Sequence, residues 1–186
     1  MANNISFYYD PQRQGYDTTL WKTLSGVPSV ATNYIVLSEA AIIHYADLYQ
    51  ARVIYDVIIP AAPTLGDERA IGLAQVNNGD FVGFKIVDDV FSVTSNNSET
   101  SKSVVIAWKA IWSNTSIKLE IRWKGYKTEF FINGVKVATI SSSTDPVDGN
   151  NDNGLVLNPT SLYVANGNAD DLSIVSINAL DISQFI

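Results

Sequence analysis

FFINGVKVATI, residues 130–140, reads as a strand, a two-residue turn and a second strand. Asn133-Gly134 marks the turn, because a type I′ turn needs positive φ at both central positions and Asn and Gly tolerate it best. The residues before it extend the pattern. In SIKLEIRWK, residues 116–124, Ile117, Leu119, Ile121 and Trp123 alternate with Lys118, Glu120, Arg122 and Lys124. A period of two gives a strand one apolar and one wet face. KGY then turns the chain into TEFFI, so 116–140 is expected to form a three-strand antiparallel meander.

Further strands are expected at QARVIYDVIIP (50–60), RAIGLAQV (69–76), FVGFKIV (81–87), VFSVT (90–94), SVVIAW (103–108), SLYVAN (161–166) and LSIVSI (172–177). Residues 50–60 are apolar on both faces, as in a central strand covered on each side. One segment, SEAAIIHYADLYQ (38–50), carries a helical alternative, with Ser38 as its cap. Turn chemistry recurs at Gly66-Asp67, Asn77-Asn78-Gly79-Asp80, 95–98 and the long polar run STDPVDGNNDNG. Ten to fourteen short strands at this spacing predict an all-β antiparallel sandwich of jelly-roll type, with residues 1–186 as a single domain.

Composition narrows the partners. The chain holds 12 Lys and Arg against 19 Asp and Glu, a formal net charge of −7. That balance argues against nucleic acid, which demands clustered cations, and against an anionic membrane surface. Cysteine is absent and His44 is the single histidine, so disulfides, thiolate chemistry and cysteine-type zinc sites are excluded. No apolar stretch approaches the 18 or so residues of a membrane span. The N-terminus lacks a basic region followed by an apolar run. The expectation is a chain made in the cytoplasm without a signal peptide, reaching a virion or other extracellular assembly.

The run IKLEIRWKGYKTEFFINGVKVATI (117–140) resembles the concanavalin A-like lectin/glucanase superfamily, in which a strand ending in Trp leads through a short turn to F-x-I-N-G-x-x-V. YDVIIP…AIGLAQV before it and SLYVANGNADDLSIVSINAL after it extend the likeness over about 47–182. The resemblance implies two curved antiparallel sheets and a concave face that often holds sugars. Fold alone does not carry function.

A retaining glycosidase needs two carboxylates about 5 Å apart, and the superfamily's hydrolases resemble E-x-D-x-x-E. None of Glu39, Glu68, Glu99, Glu120 and Glu129 has an acidic partner at that spacing. No G-x-S-x-G and no phosphate-binding glycine pattern occurs. Asp148, Asn150 and Asp152 match the first alternating oxygen positions of a Ca²⁺ loop, but Asn153 stands where that loop needs Gly and Pro159 where it needs Glu. They are the metal candidates; no other cofactor is expected. Trp108 and Trp112, four apart, would lie about 13 Å apart on one face of an unbroken strand, where two indoles can stack on sugar rings. The competing reading buries both. Trp21 in TTLWKTL is the third glycan-binding candidate.

With no catalytic set, the expected function is a non-enzymatic structural module decorating an assembly such as a virion capsid, tail or fibre. Its partners would be other structural proteins or copies of itself. The alternative is a lectin-like carbohydrate-binding module, and the remote one a glycoside hydrolase.

Overall fold

The computed structural model describes residues 6–31, 33–48, 50–75, 79–96, 101–124, 127–141 and 160–181. Fifteen strands occur among them: β1 (Ser6–Tyr9), β2 (Lys22–Ser25), β3 (Ser29–Ala31), β4 (Tyr34–Leu37), β5 (Ala40–Leu48), β6 (Ala51–Ile58), β7 (Glu68–Gln75), β8 (Asp80–Val87), β9 (Val90–Asn96), β10 (Ser101–Val105), β11 (Ser116–Trp123), β12 (Lys127–Ile132), β13 (Val135–Ser141), β14 (Thr160–Asn166) and β15 (Leu172–Asp181). A one-turn helix α1 (Pro11–Gln14) and a 3-10 turn (Ala110–Trp112) complete them.

The strands form two antiparallel sheets. One has eight strands in the order β13-β12-β11-β6-β15-β4-β3, with β1 on the second half of β15; the other has seven, in the order β10-β9-β8-β7-β14-β5-β2. Sheet neighbours are often distant in sequence: β6 lies between β11 and β15, and β14 between β7 and β5. That crossing pattern defines a jelly-roll sandwich, and the fold is concanavalin A-like. The expected meander is β11–β12–β13. Asn133 and Gly134 have φ of 50° and 79°, and Asn133 Oδ1 accepts from the Lys118 amide at 2.8 Å, so the turn is tied back onto β11.

Alternation puts one face of each sheet into the core. Val53, Tyr55 and Val57 of β6 and Ile117, Leu119, Ile121 and Trp123 of β11 meet Ile71 and Leu73 of β7 and Val82, Phe84 and Ile86 of β8. Phe84 meets Phe130 edge-on at 5.6 Å. The Tyr55 hydroxyl crosses the layer to donate to the Gly72 carbonyl, and burial raises its pKa. Truncating a core aromatic such as Trp123 costs about 3–5 kcal/mol.

Two local expectations need correction. The helical alternative gives way to a strand over Ala40–Leu48: β5 puts Ile42 and Leu48 inward, and its ladders with β14 and β2 override a weak helical pattern. SVVIAW stops being a strand at Val105, and the 3-10 turn follows. Helix α1 was not anticipated, although DPQRQG holds its signals: Asp10 caps the Gln12 amide at 3.0 Å, Pro11 opens the turn, and Gly15 closes it at φ 62°. The aromatics at 7–9 belong to β1, where Phe7 and Tyr9 pack with Trp21 and Phe7 stacks on His44.

Candidate functional site: a groove on the seven-stranded sheet

The outer face of the seven-stranded sheet is floored by small residues. Across the β14, β7 and β8 ladders, Ala165, Ala70 and Lys85 are aligned, as are Tyr163, Gly72 and Gly83, and Ser161, Ala74 and Phe81. A Cβ on Gly72 would lie 2.3 Å from the Val82 carbonyl oxygen, and one on Gly83 would lie 2.4 Å from that of Ile71 and 2.7 Å from the Phe81 ring. The glycines are therefore obligatory, and the Phe81 ring covers them. Tyr163 meets Phe81 edge-on at 6.3 Å.

Two adjoining hollows of about 330 and 320 Å³ open on this floor, and Glu68, Ala70, Lys85 and Tyr163 line both. They form one groove. Burial raises the pKa of the Tyr163 hydroxyl, and the nearby Glu68 charge raises it further, so at neutral pH it is a hydrogen-bond donor as well as an acceptor. Lys85 projects from the middle of the sheet with no ion-pair partner among the described residues. Beyond it, Ser92, Thr94 and Ser103 form a hydroxyl ladder across β9 and β10.

The fold brings together two carboxylates that linear spacing keeps apart. Glu39 lies in the β4–β5 turn and Glu68 opens β7, yet both line the same hollow. Asn168 holds both backbones: its carbonyl accepts from the Glu39 amide at 2.9 Å, and its Oδ1 from the Glu68 amide at 2.9 Å. Below them Arg69, 1% exposed, reaches Asp67 at 3.1 Å and both oxygens of Asp170 at 2.6 Å. Asn166 donates to the carbonyls of Leu37, Asn168 and Asp170. Three connecting segments are thus fixed as one rim.

The tryptophan candidates lie elsewhere. Trp21 is buried among Phe7, Tyr9 and His44. Trp112 is buried and Trp108 half-buried, and they touch edge-on at 5.6 Å because the 3-10 turn interrupts the strand. The 13 Å platform of an unbroken strand does not form, and the two rings instead pack against Phe91. Trp108 donates through Nε1 to the Ser113 hydroxyl at 3.3 Å. Asp148, Asn150 and Asp152 lie outside the described residues. Among the described residues no group of three His, Cys, Asp or Glu is placed to hold a metal ion, and no helix is long and apolar enough to cross a membrane.

No family model and no curated protein matches the chain. Solved structures do. The laminarinase catalytic domain from Thermotoga maritima MSB8 superposes with a TM-score of 0.73 at 11% identity, covering 94% of this chain and 96% of that one. Crh5 transglycosylase in complex with NAG gives 0.65 at 15%, covering 95% and 83%. The legume lectin-like domain from Entamoeba histolytica gives 0.61 at 14%, covering 87% and 90%. At these identities the likeness establishes the fold. It also overturns the expectation of a non-enzymatic virion module, since the structures sharing this architecture are mostly glycosidases and transglycosylases. Glu39 and Glu68 come from separate segments and line one hollow only in the folded chain.

Proposed function

We propose that the chain is a carbohydrate-active protein that binds a glycan in the groove over β14, β7 and β8. The observation that carries this reading is the groove's lining: a small-residue floor, the half-buried Tyr163 ring, and Glu39, Glu68 and Lys85 around it. Ligand sites combine an apolar surface with a few convergent polar groups. An aromatic ring offers its face to the C–H side of a sugar, while carboxylate, ammonium and phenol groups engage the hydroxyls. The fold shared with a laminarinase domain, a transglycosylase bound to NAG and a lectin-like domain supports the same class of ligand.

A glycan array followed by calorimetry on the best oligosaccharide tests it. Tyr163→Ala is expected to weaken binding up to about tenfold, the worth of one good aromatic contact, with the fold retained. Unchanged affinity in that variant, or no glycan bound, would contradict the assignment.

The shared hollow of Glu39 and Glu68 favours a second reading, hydrolysis by this pair. One carboxyl would protonate the glycosidic oxygen, and the other would attack the anomeric carbon or activate water. Reducing-end release from laminarin, lost in both Glu39→Gln and Glu68→Gln while binding persists, is the expected result. Release that survives both substitutions would reject it.

A further inference from the structure

The net charge of −7 hides a local excess of the opposite sign. Six of the chain's 12 Lys and Arg, namely Arg52, Lys118, Arg122, Lys124, Lys127 and Lys136, fall on the outer face of the eight-stranded sheet around β6, β11, β12 and β13. Three carboxylates accompany them, Asp56, Glu120 and Glu129. Arg52 and Arg122 stand directly opposite each other on the β6–β11 ladder. Like charges so placed repel. The conflict is resolved by Glu120, whose Oε1 accepts from Arg52 Nε at 2.7 Å and from Arg122 Nε at 2.6 Å. Glu120 is itself only 5% exposed.

This arrangement positions two cations while leaving their outer edges unused. Each guanidinium spends only its Nε donor on Glu120, and among the described residues no partner takes the Nη donors. Both side chains remain accessible, at 45% for Arg52 and 39% for Arg122. Arg122 lies over the Phe131 ring at 4.0 Å, which holds its plane in place. Glu129 repeats the pattern, shared by Lys127 at 3.1 Å and Lys136 at 3.3 Å.

We infer that this face is an anion-docking surface for an acidic polysaccharide, with the Glu120-braced Arg52/Arg122 pair gripping its sulfate or carboxylate groups. A linear polyanion fits better than a small anion. Successive same-face positions on a strand are about 6.7 Å apart and neighbouring strands about 4.8 Å apart, so a charged polymer meets several cations at once and gains by multivalency. The chain's own acids do not forbid it. Glu39 and Glu68 open on the outer face of the other sheet, across the core from this surface, so they do not face a ligand bound here. The surface is separate from the groove, and its test does not depend on the groove reading.

The test is binding of the full chain to immobilised dextran sulfate and polygalacturonate, with unmodified dextran as the neutral arm. Binding to both anionic polymers but not to dextran is expected, falling as salt rises. Arg52→Gln and Arg122→Gln should each weaken it about tenfold, the worth of one charge-assisted contact. Lys22→Gln, which removes one charge from β2 at the far edge of the other sheet, should leave it unchanged. Thermal unfolding confirms that each variant is folded, and Lys127→Gln, a half-exposed site paired with the partly exposed Glu129, should also weaken binding as a second probe on the same face. The inference falls if the anionic polymers are not bound, or if Lys22→Gln weakens binding as much as the arginine variants. It also falls if the arginine variants abolish a self-associated species in light scattering instead.

Discussion

Gly72 and Gly83 are the residues on which the groove floor depends. They face each other across the β7–β8 ladder under the Phe81 ring, where any side chain would strike backbone. Gly83→Ala is expected to destabilise the fold by about 1–3 kcal/mol, the usual cost of overpacking a closed site; the midpoint of urea denaturation reads this directly. Glu120 sets a second expectation at this scale. Burial pushes its carboxyl up, but the hydrogen bonds from Arg52 and Arg122 outweigh that and hold it below the usual glutamate range. A carboxyl with a lowered folded pKa contributes stability above its unfolded pKa and loses it as pH falls through the folded value. Stability should therefore decline below about pH 4.5, and Glu120→Gln should flatten that part of the profile while lowering stability at neutral pH.

Among the elements, the rim of turns beside β7 is held more by side chains than by ladder bonds. Arg69 binds Asp67 and Asp170 from a buried position, and Asn168 ties Glu39 to Glu68. Arg69→Leu removes the cation and leaves Asp170 facing its lost partner. A loss of about 3 kcal/mol is expected, at the low end for breaking a buried pair because Asp170 is partly exposed. Amide exchange should quicken at Glu39 and Glu68 before it does in the meander; uniform quickening would contradict a local clamp. Sequence reading reached the meander and its Asn-Gly turn because alternation and turn chemistry are local signals. It left β5 open between strand and helix because AAIIHYADL is apolar on both faces, so period alone cannot separate the two there. It missed the break after Val105, which pulled Trp108 and Trp112 into one packed cluster.

At the scale of the whole molecule, the sandwich presents two different outer faces, a neutral-floored groove on one sheet and a cationic ladder on the other. The groove was half-legible. Gly and Ala at every second position of β7, with Gly83 opposite on β8, already signal a face where something approaches closely. What linear spacing cannot carry is the shared hollow of Glu39 and Glu68, or the pairing of Arg52 with Arg122, since each pair spans separate segments. Alkaline behaviour belongs to this scale too. Burial raises the pKa of Tyr9 to about 12 and raises those of Tyr55 and Tyr163. Their stabilisation is complete below the ordinary tyrosine pKa of about 10 and is lost as pH rises through the folded values, so the tyrosinate absorbance of these three should appear together with unfolding.

The most direct measurement is amide chemical-shift mapping of the full chain titrated with the strongest oligosaccharide from the glycan array. The account requires the largest shifts on β7, β8 and β14, around Glu68, Lys85 and Tyr163. Shifts confined to the Trp108–Trp112 cluster or to the eight-stranded sheet, with those three strands silent, would contradict it.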